Sequence, residues 1–349
     1  MKTSIIATIG TASDNEKTIE KMALNGADCL RINFSHANRE QYLRVKQAVK
    51  KIRKKTGKKL IIMQDLQGPR LRIGKLKKPL PITIGEIYYF KRFKAEINNR
   101  EIPVDNNLII RQIKKGDKIF LGNGEIVMTT IGKGKDYFKA RAENSGLLLS
   151  RKGINLPQTS LAKNNPTAQD LKDIKFALEE GVEAIALSFV ESAKEIIKVR
   201  NFIKKYNKQK TPRLIIKIER AEALKNIEEI ILASDGIMIA RGDLGIETPL
   251  EDLPIIQKHL IARAHWHNKP AIVATEMLLS MTKHPRPTRA EVADIANAIF
   301  DGADAVMLSE ETAIGVHPDK VVQTMKKIAD RTDSHLGWAN RFKEIFNLN

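Results

Sequence analysis

One cysteine in 349 residues leaves no partner for an intrachain disulfide, so no disulfide framework holds this chain together. Cys29 lies in the apolar run CLRINF and reads as a core residue of a chain kept in a reducing compartment. Long hydrophobic runs are missing too. No stretch approaches the roughly 18 apolar residues of a membrane span, and Thr and Gly interrupt the opening MKTSIIATIGTAS. Neither a span nor a signal peptide is expected, and a cytoplasmic location is. Aromatic residues make up only 5% of the chain, which argues against a specific nucleic-acid binder, whose basic surface is interleaved with rings. Acidic residues also run short: 41 Asp and Glu face 60 Lys and Arg, leaving a net charge of +19. Such a balance attracts polyanions, and steering of small anionic substrates is the favoured reading. The densest basic run, KKIRKKTGKK at 50–59, lies between a helical pattern and a strand and is expected to be a solvated loop.

What is present is a rhythm. Eight short apolar runs, bounded by Gly or polar residues, read as strands buried on both faces: SIIATI, CLRINF, LIIMQDL, AIALSFV, LIIKIE, GIMIAR, PAIVAT and AVMLS. Segments of helical period separate most of them, among them NEKTIEKMALNG, QDLKDIKFALEEG and RPTRAEVADIANAIFDG. The last carries Thr288 and Glu291 at capping-box spacing, with Pro287 just before. Recurring entries such as NGADCLRI and DGADAVML mark a repeated βα unit. Eight strands alternating with helices predict an α/β fold, a (β/α)8 TIM barrel formed by residues 1–73 and 154–349. Residues 74–153 break the rhythm, offering no comparable helix but several strand patterns with Gly, Asn and Pro between them. They predict a small all-β domain inserted after the third strand, placed as a lid over a barrel mouth.

Side chains along a strand alternate faces, so Lys217 and Glu219 point the same way at the end of LIIKIE. Asp243 follows the next strand, between Gly242 and Gly245. If these strands are parallel neighbours, one ammonium and two carboxylates converge. The cluster suits a divalent cation held by Glu219 and Asp243, with Lys217 facing an anionic group such as a phosphoryl. The plainer alternative is a salt bridge between Lys217 and Glu219 on a solvated edge. Other strand ends supply Arg31, Asn33, Ser35 and His36; Asp65, Gln67, Arg70 and Arg72; Thr275 and Glu276; and Ser309, Glu310 and Glu311. Singly, Asn33 or Ser35 reads as a turn residue and Thr275 as an ordinary strand hydroxyl. Together they make a mouth of both charge signs.

These residues closely resemble the pyruvate kinase family. The likeness covers nearly the whole chain and rests on SIIATIGTAS, LRINFSHA, DLQGPRLRIG, KGINLP, IKIERAE, SDGIMIARGDLGIE and ATEMLLSMTKHPRPTRAEVADIANAIFDGADAVMLSEETAIG, in family order. It implies phosphoryl transfer from phosphoenolpyruvate to ADP, giving pyruvate and ATP. Glu219 and Asp243 would then ligate Mg²⁺ or Mn²⁺, and Lys217 would neutralise the phosphoryl group in transit. The amides around Ala240, Arg241, Gly242 and Asp243 would hold the substrate carboxylate. Arg31 would contact phosphate, Thr275 would stand near the enolate, and Asn33, His36, Arg72 and Lys152 would face the nucleotide.

The resemblance also marks departures. K⁺-dependent members hold the ion with side chains matching Asn33, Ser35 and Asp65, next to Leu66 here, and carry Glu where this chain has Arg70. A guanidinium supplies permanently the charge that K⁺ lends, so no K⁺ requirement is expected. Only about 40 residues follow Glu311, so the family's C-terminal allosteric domain is expected to be absent, and sugar-phosphate activation with it. Glu191, Glu276, Glu310 and Asn123 replace common Arg, Gln, Gly and Asp. A homo-oligomer through barrel contacts stays open. So do two other functions: a catalytically weak scaffold that binds an acidic macromolecule, and a metal-dependent lyase or aldolase acting on a pyruvate enolate.

Overall fold

The computed structural model describes residues 2–92, 100–104, 107–122, 124–157, 165–206 and 211–346; Asn123 lies outside them. Its strands, in chain order, begin with β1 (Ser4–Ile9), β2 (Cys29–Asn33) and β3 (Ile61–Asp65). Then come β4 (Leu71–Arg72), β5 (Leu80–Ile82), β6 (Ile87–Arg92), β7 (Glu101–Val104), β8 (Lys118–Leu121), β9 (Ile126–Lys133), β10 (Tyr137–Ala142), β11 (Gly146–Leu148) and β12 (Gly153–Asn155). The last five are β13 (Ala184–Leu187), β14 (Arg213–Ile218), β15 (Gly236–Ala240), β16 (Ala271–Ala274) and β17 (Ala305–Leu308).

Packing separates the chain into two units: Met1–Gly68, Pro166–Arg241 and Asp252–Asn349 form one, Pro69–Asn165 with Gly242–Glu251 the other. In the first, all eight apolar runs become parallel strands of a closed barrel, in the order β1-β17-β16-β15-β14-β13-β3-β2. Ile6, Cys29, Met63, Ala184, Ala186, Ile215, Met238, Ile272, Ala274, Ala305 and Met307 fill its interior. Helices cover the outside, and two of them start with full capping boxes, Thr167 with Asp170 and Thr288 with Glu291. Closure joins the two ends of the sequence: Ser4 pairs with Ala305, and Thr3 donates from its amide and its hydroxyl to the Asp333 carboxylate, both at 2.8 Å. Among the described residues no helix is long and apolar enough to cross a membrane.

Most of the loop expected at 50–59 is helix, and only residues 57–59 lie beyond it. A helix runs from Arg39 to Thr56 and stops at Gly57, whose φ of 69° is the left-handed geometry that glycine adopts without strain. The helix continues through the basic run because Tyr42, Val45, Ala48, Val49 and Ile52 bury one of its faces, and acidic neighbours flank the basic one. Arg44 pairs with Asp14 at 2.9 Å, Lys51 with Glu16 at 2.7 Å and Lys55 with Glu20 at 2.6 Å; on the other flank Lys46 pairs with Glu180 at 2.7 Å and Arg53 with Glu183 at 2.5 Å.

The second unit is built on a seven-stranded sheet, β4-β12-β8-β9-β10-β6-β7, with β11 pairing β5 separately. One helix interrupts it, Asn107–Gln112. On the sheet's inner face Phe90 and Phe138, directly opposite in register, stack at 4.5 Å within a core that includes Tyr88, Ile102, Ile119 and Met128.

Candidate active site at the barrel strand ends

The barrel interior stays apolar until its final layer. Stepping two residues on from interior positions Ile6, Met63, Ala186 and Ile215 reaches Thr8, Asp65, Ser188 and Lys217, and a further two reaches Glu219. From Cys29 the same step reaches Arg31. These side chains meet. Arg31 Nε donates to Asp65 Oδ2 at 2.6 Å, and its Nη1 donates to Thr8 Oγ1 at 2.9 Å. The Lys217 ammonium lies 2.7 Å from Glu219 Oε1 and 3.4 Å from Asp65 Oδ1, and donates to Ser188 Oγ at 2.9 Å. The Ser188 hydroxyl donates to the Leu66 carbonyl at 2.7 Å, so it meets Lys217 as an acceptor.

The plain salt bridge between Lys217 and Glu219 therefore exists, but not on a solvated edge. Lys217 is 11% exposed and Glu219 1%. Taking four charged groups out of water costs several kcal/mol per ion, which stability alone does not explain and a preorganised electrostatic site does. Burial pushes the Asp65 carboxyl up, yet Lys217 and Arg31 outweigh it and hold the group below its ordinary value.

Backbone strain gathers at the same strand ends. Phe189, just past β13, has φ of 55°, and its amide donates to Glu219 Oε2 at 2.7 Å. Beyond β16, Thr275 and Glu276 have φ of 74° and 55°. For a β-branched residue such as Thr this is a genuine outlier, and strain of this kind persists only where surrounding contacts enforce it. Here they do: Arg241 donates to the Thr275 carbonyl at 2.9 Å while both its terminal nitrogens grip Asp294 at 2.7 Å. Thr275 Oγ1 rests on the Ala274 carbonyl at 2.6 Å. Glu311, fully buried, accepts from the amides of Leu278 at 3.0 Å and Ser309 at 2.6 Å, tying the exits of β16 and β17.

The remaining expected residues take other places. Asn33 Oδ1 accepts from the Ser35 amide at 3.0 Å, and its carbonyl accepts from the amides of His36 and Ala37, the geometry of a turn. Leu66 is buried. Ala240 ends β15, and the helix Arg241–Glu247 follows directly, carrying Gly242 and Asp243 in its first turn. Asp243 belongs to the second unit, as do Arg70, Arg72 and Lys152. There Arg72 donates to the Arg151 carbonyl at 3.1 Å, Lys152 pairs with Glu125 at 3.2 Å, and the Arg70 guanidinium lies beside Gly153. Among the described residues no three His, Cys, Asp or Glu side chains form a complete metal cage. Carboxylate oxygens such as those of Glu219 and Asp243 are the hard donors a Mg²⁺ ion takes one or two at a time, keeping water on its other positions. Thr8, Ser188, Phe189 and Glu311's buried role escape a reading of the sequence, although the two-residue step that marks Lys217 also marks Thr8 and Ser188.

Comparison with known proteins agrees with this geometry. The family model for the pyruvate kinase barrel domain matches residues 1–322. The pyruvate kinase of Thermococcus litoralis is 44% identical over 335 residues, 96% of this chain and 70% of that protein. That of Thermotoga maritima is 40% identical over 335 residues, 96% and 72% respectively. A crystal structure of a pyruvate kinase from Cryptosporidium parvum superimposes with a TM-score of 0.89 at 33% identity, covering 95% of this chain and 69% of that one. A barrel match of this extent, relatives this similar and a strand-end charge network leave one conclusion: the chain belongs to the pyruvate kinase family of phosphotransferases.

Proposed function

We propose that the chain transfers a phosphoryl group from phosphoenolpyruvate to ADP, with Lys217 as the group that meets the charge in transit. The observation that carries this reading is the fixed, nearly buried Lys217 ammonium, held among Glu219, Asp65 and Ser188 at the end of a barrel strand. Phosphoryl transfer asks a protein mainly for positioning and for charge already in place, and an ammonium with little room to move supplies both. Arg31, anchored on Asp65 and Thr8, adds a second cation of fixed direction. Glu219 and Asp243 are the residues that would hold Mg²⁺ or Mn²⁺, which when bound supplies further neutralisation of phosphate charge. The Phe189 amide keeps one Glu219 oxygen in place. The Thr275 hydroxyl, on its strained backbone, stands as the route by which a proton reaches the enolate of pyruvate. The amides of Arg241, Gly242 and Asp243 are assigned to the substrate carboxylate, and His36, Arg72 and Lys152, with Asn33, to the nucleotide. Arg70 takes the part of K⁺. The cytoplasm is the proposed location.

A coupled assay of pyruvate and ATP formation tests this reading, wild type against Lys217→Met. Loss of the rate by a factor on the order of 10² or more in the variant supports it. Equal rates, or enolate cleavage without ADP, would remove it.

A further inference from the structure

We propose that the outer face of β6, β9 and β10 is a binding surface for single-stranded nucleic acid. The sequence's low aromatic content weighs against such a role, but sheet register brings together what composition leaves diluted. Residues 69–165 hold 20 Lys and Arg against 8 Asp and Glu, so +12 of the chain's +19 lies in this stretch. Because Phe90 and Phe138 face the core, their neighbours Tyr89, Lys91, Tyr137, Lys139 and Arg141 face out. Across the pair β10 to β6, Tyr137 stands opposite Lys91 and Lys139 opposite Tyr89. Ring and cation thus alternate both along each strand and between strands. The two tyrosine rings, each 36% exposed, lie 6.0 Å apart and tilted by 53°.

Arg141 continues the row, opposite Thr129 of β9 and Ile87 of β6. Carboxylates also stand on and beside the neighbouring strands. Glu101 is held by Lys91, and Glu143 by Lys118 and the Thr129 hydroxyl. Between them Lys139 and Arg141 have no carboxylate within ion-pair distance among the described residues. Cations to track a phosphate backbone and exposed rings on which unpaired bases stack are the two components of a sequence-tolerant single-strand surface. A duplex hides its base faces, and an anionic membrane or a run of carboxylates on an acidic protein offers charge without a series of π faces for the rings. The single strand is therefore the occupant that uses both.

Fluorescence anisotropy with the full chain tests this, using fluorescein-labelled oligo(U) of roughly 15 nucleotides, a duplex of equal length, and anionic phosphatidylserine vesicles as competitor. The single strand is expected to bind about tenfold more tightly than the duplex, with affinity falling steeply between about 50 and 200 mM salt. Tyr89→Leu with Tyr137→Leu, which keeps apolar bulk, is expected to weaken binding tenfold or so. Lys139→Gln with Arg141→Gln is expected to flatten the salt dependence. Melting temperature and phosphotransfer rate serve as folding controls, and Tyr89→Ser alone is a second variant should the pair fail to fold. No binding at low salt, equal affinity for single strand and duplex, indifference to the tyrosine changes, or full displacement by vesicles would each overturn the proposal.

Discussion

Arg31 Nε and Asp65 Oδ2 lie 2.6 Å apart at the strand ends, with side chains 9% and 1% exposed. A pair this enclosed is asymmetric in its energetics. Forming it stabilises little, because desolvation consumes most of the attraction, while removing one partner strands a charge in a low-dielectric site. Asp65→Ala is therefore expected to lower unfolding free energy by about 3–5 kcal/mol, read from urea denaturation. A change under about 1 kcal/mol would mean that water already reaches the pair.

The same carboxylate gives a pH signature. Burial opposes its ionisation, but Lys217 and Arg31 set its folded pKa below the ordinary 3.8. With the folded value depressed, the stabilisation is complete above the unfolded value and is lost as pH falls through the folded one. The stability gap between wild type and Asp65→Asn is expected to be constant from neutral pH down to mild acid and to narrow only below 3.8. Denaturation curves of both proteins across that range check it. A gap that closes already above the ordinary carboxylate value would contradict the assigned direction.

Strain at Thr275 predicts a trade between stability and rate. Glycine adopts φ of 74° freely, whereas a β-branched residue there costs on the order of 1–3 kcal/mol. Thr275→Gly is expected to raise stability by about 1 kcal/mol, part of the relief being lost to the greater freedom of the unfolded chain. It is also expected to lower kcat by about 10²-fold, since the hydroxyl is gone. Thermal melting and steady-state kinetics measure the two effects, and a variant that is both slower and less stable would refute the assignment of strain.

Glu311→Ala is expected to cost about 3 kcal/mol. It leaves the Leu278 and Ser309 amides without the buried acceptor both use, and hydrogen bonds to a charged group contribute about 1.5–3 kcal/mol each. Glu311→Gln, which keeps an acceptor, is expected to recover part of this. Urea midpoints of the two variants compare them directly.

A permanent guanidinium at Arg70 predicts equal activity whether the monovalent cation is K⁺ or tetramethylammonium. Arg70→Glu is expected to create a K⁺ requirement. A strict requirement in the wild type would sink the assignment.

Why some of this was legible and some was not follows from where the signals lie. Each barrel strand announces itself within its own four to six residues, because a strand buried on both faces is apolar over most of its length. Lys217 and Glu219 were legible for the opposite reason, as charges at the end of such a run. Thr8 and Ser188 occupy equivalent ends but carry hydroxyls, which strands tolerate anywhere, and only their bonds to Arg31 and Lys217 set them apart. The helix over the basic run is masked by its charge, because the counter-charges are remote in sequence. Glu16 and Glu20 precede it by one strand, and Glu180 and Glu183 follow more than 120 residues later. Left-handed backbone at Phe189 and Thr275 has no local signature, being imposed by Glu219 and Arg241 from neighbouring strands.

The pairing of β1 with β17 sets a timetable for biogenesis. Ala305, the partner of Ser4, is made some 300 residues after it. At about 5–20 residues per second the first strand waits roughly 15–60 s before its open edge can be covered. Through that interval the nascent chain displays an apolar edge, the template for aggregation. Chaperone dependence during synthesis should accordingly fall on the first strand, and a circular permutant that starts between β16 and β17 is expected to move it to the open edge of β17.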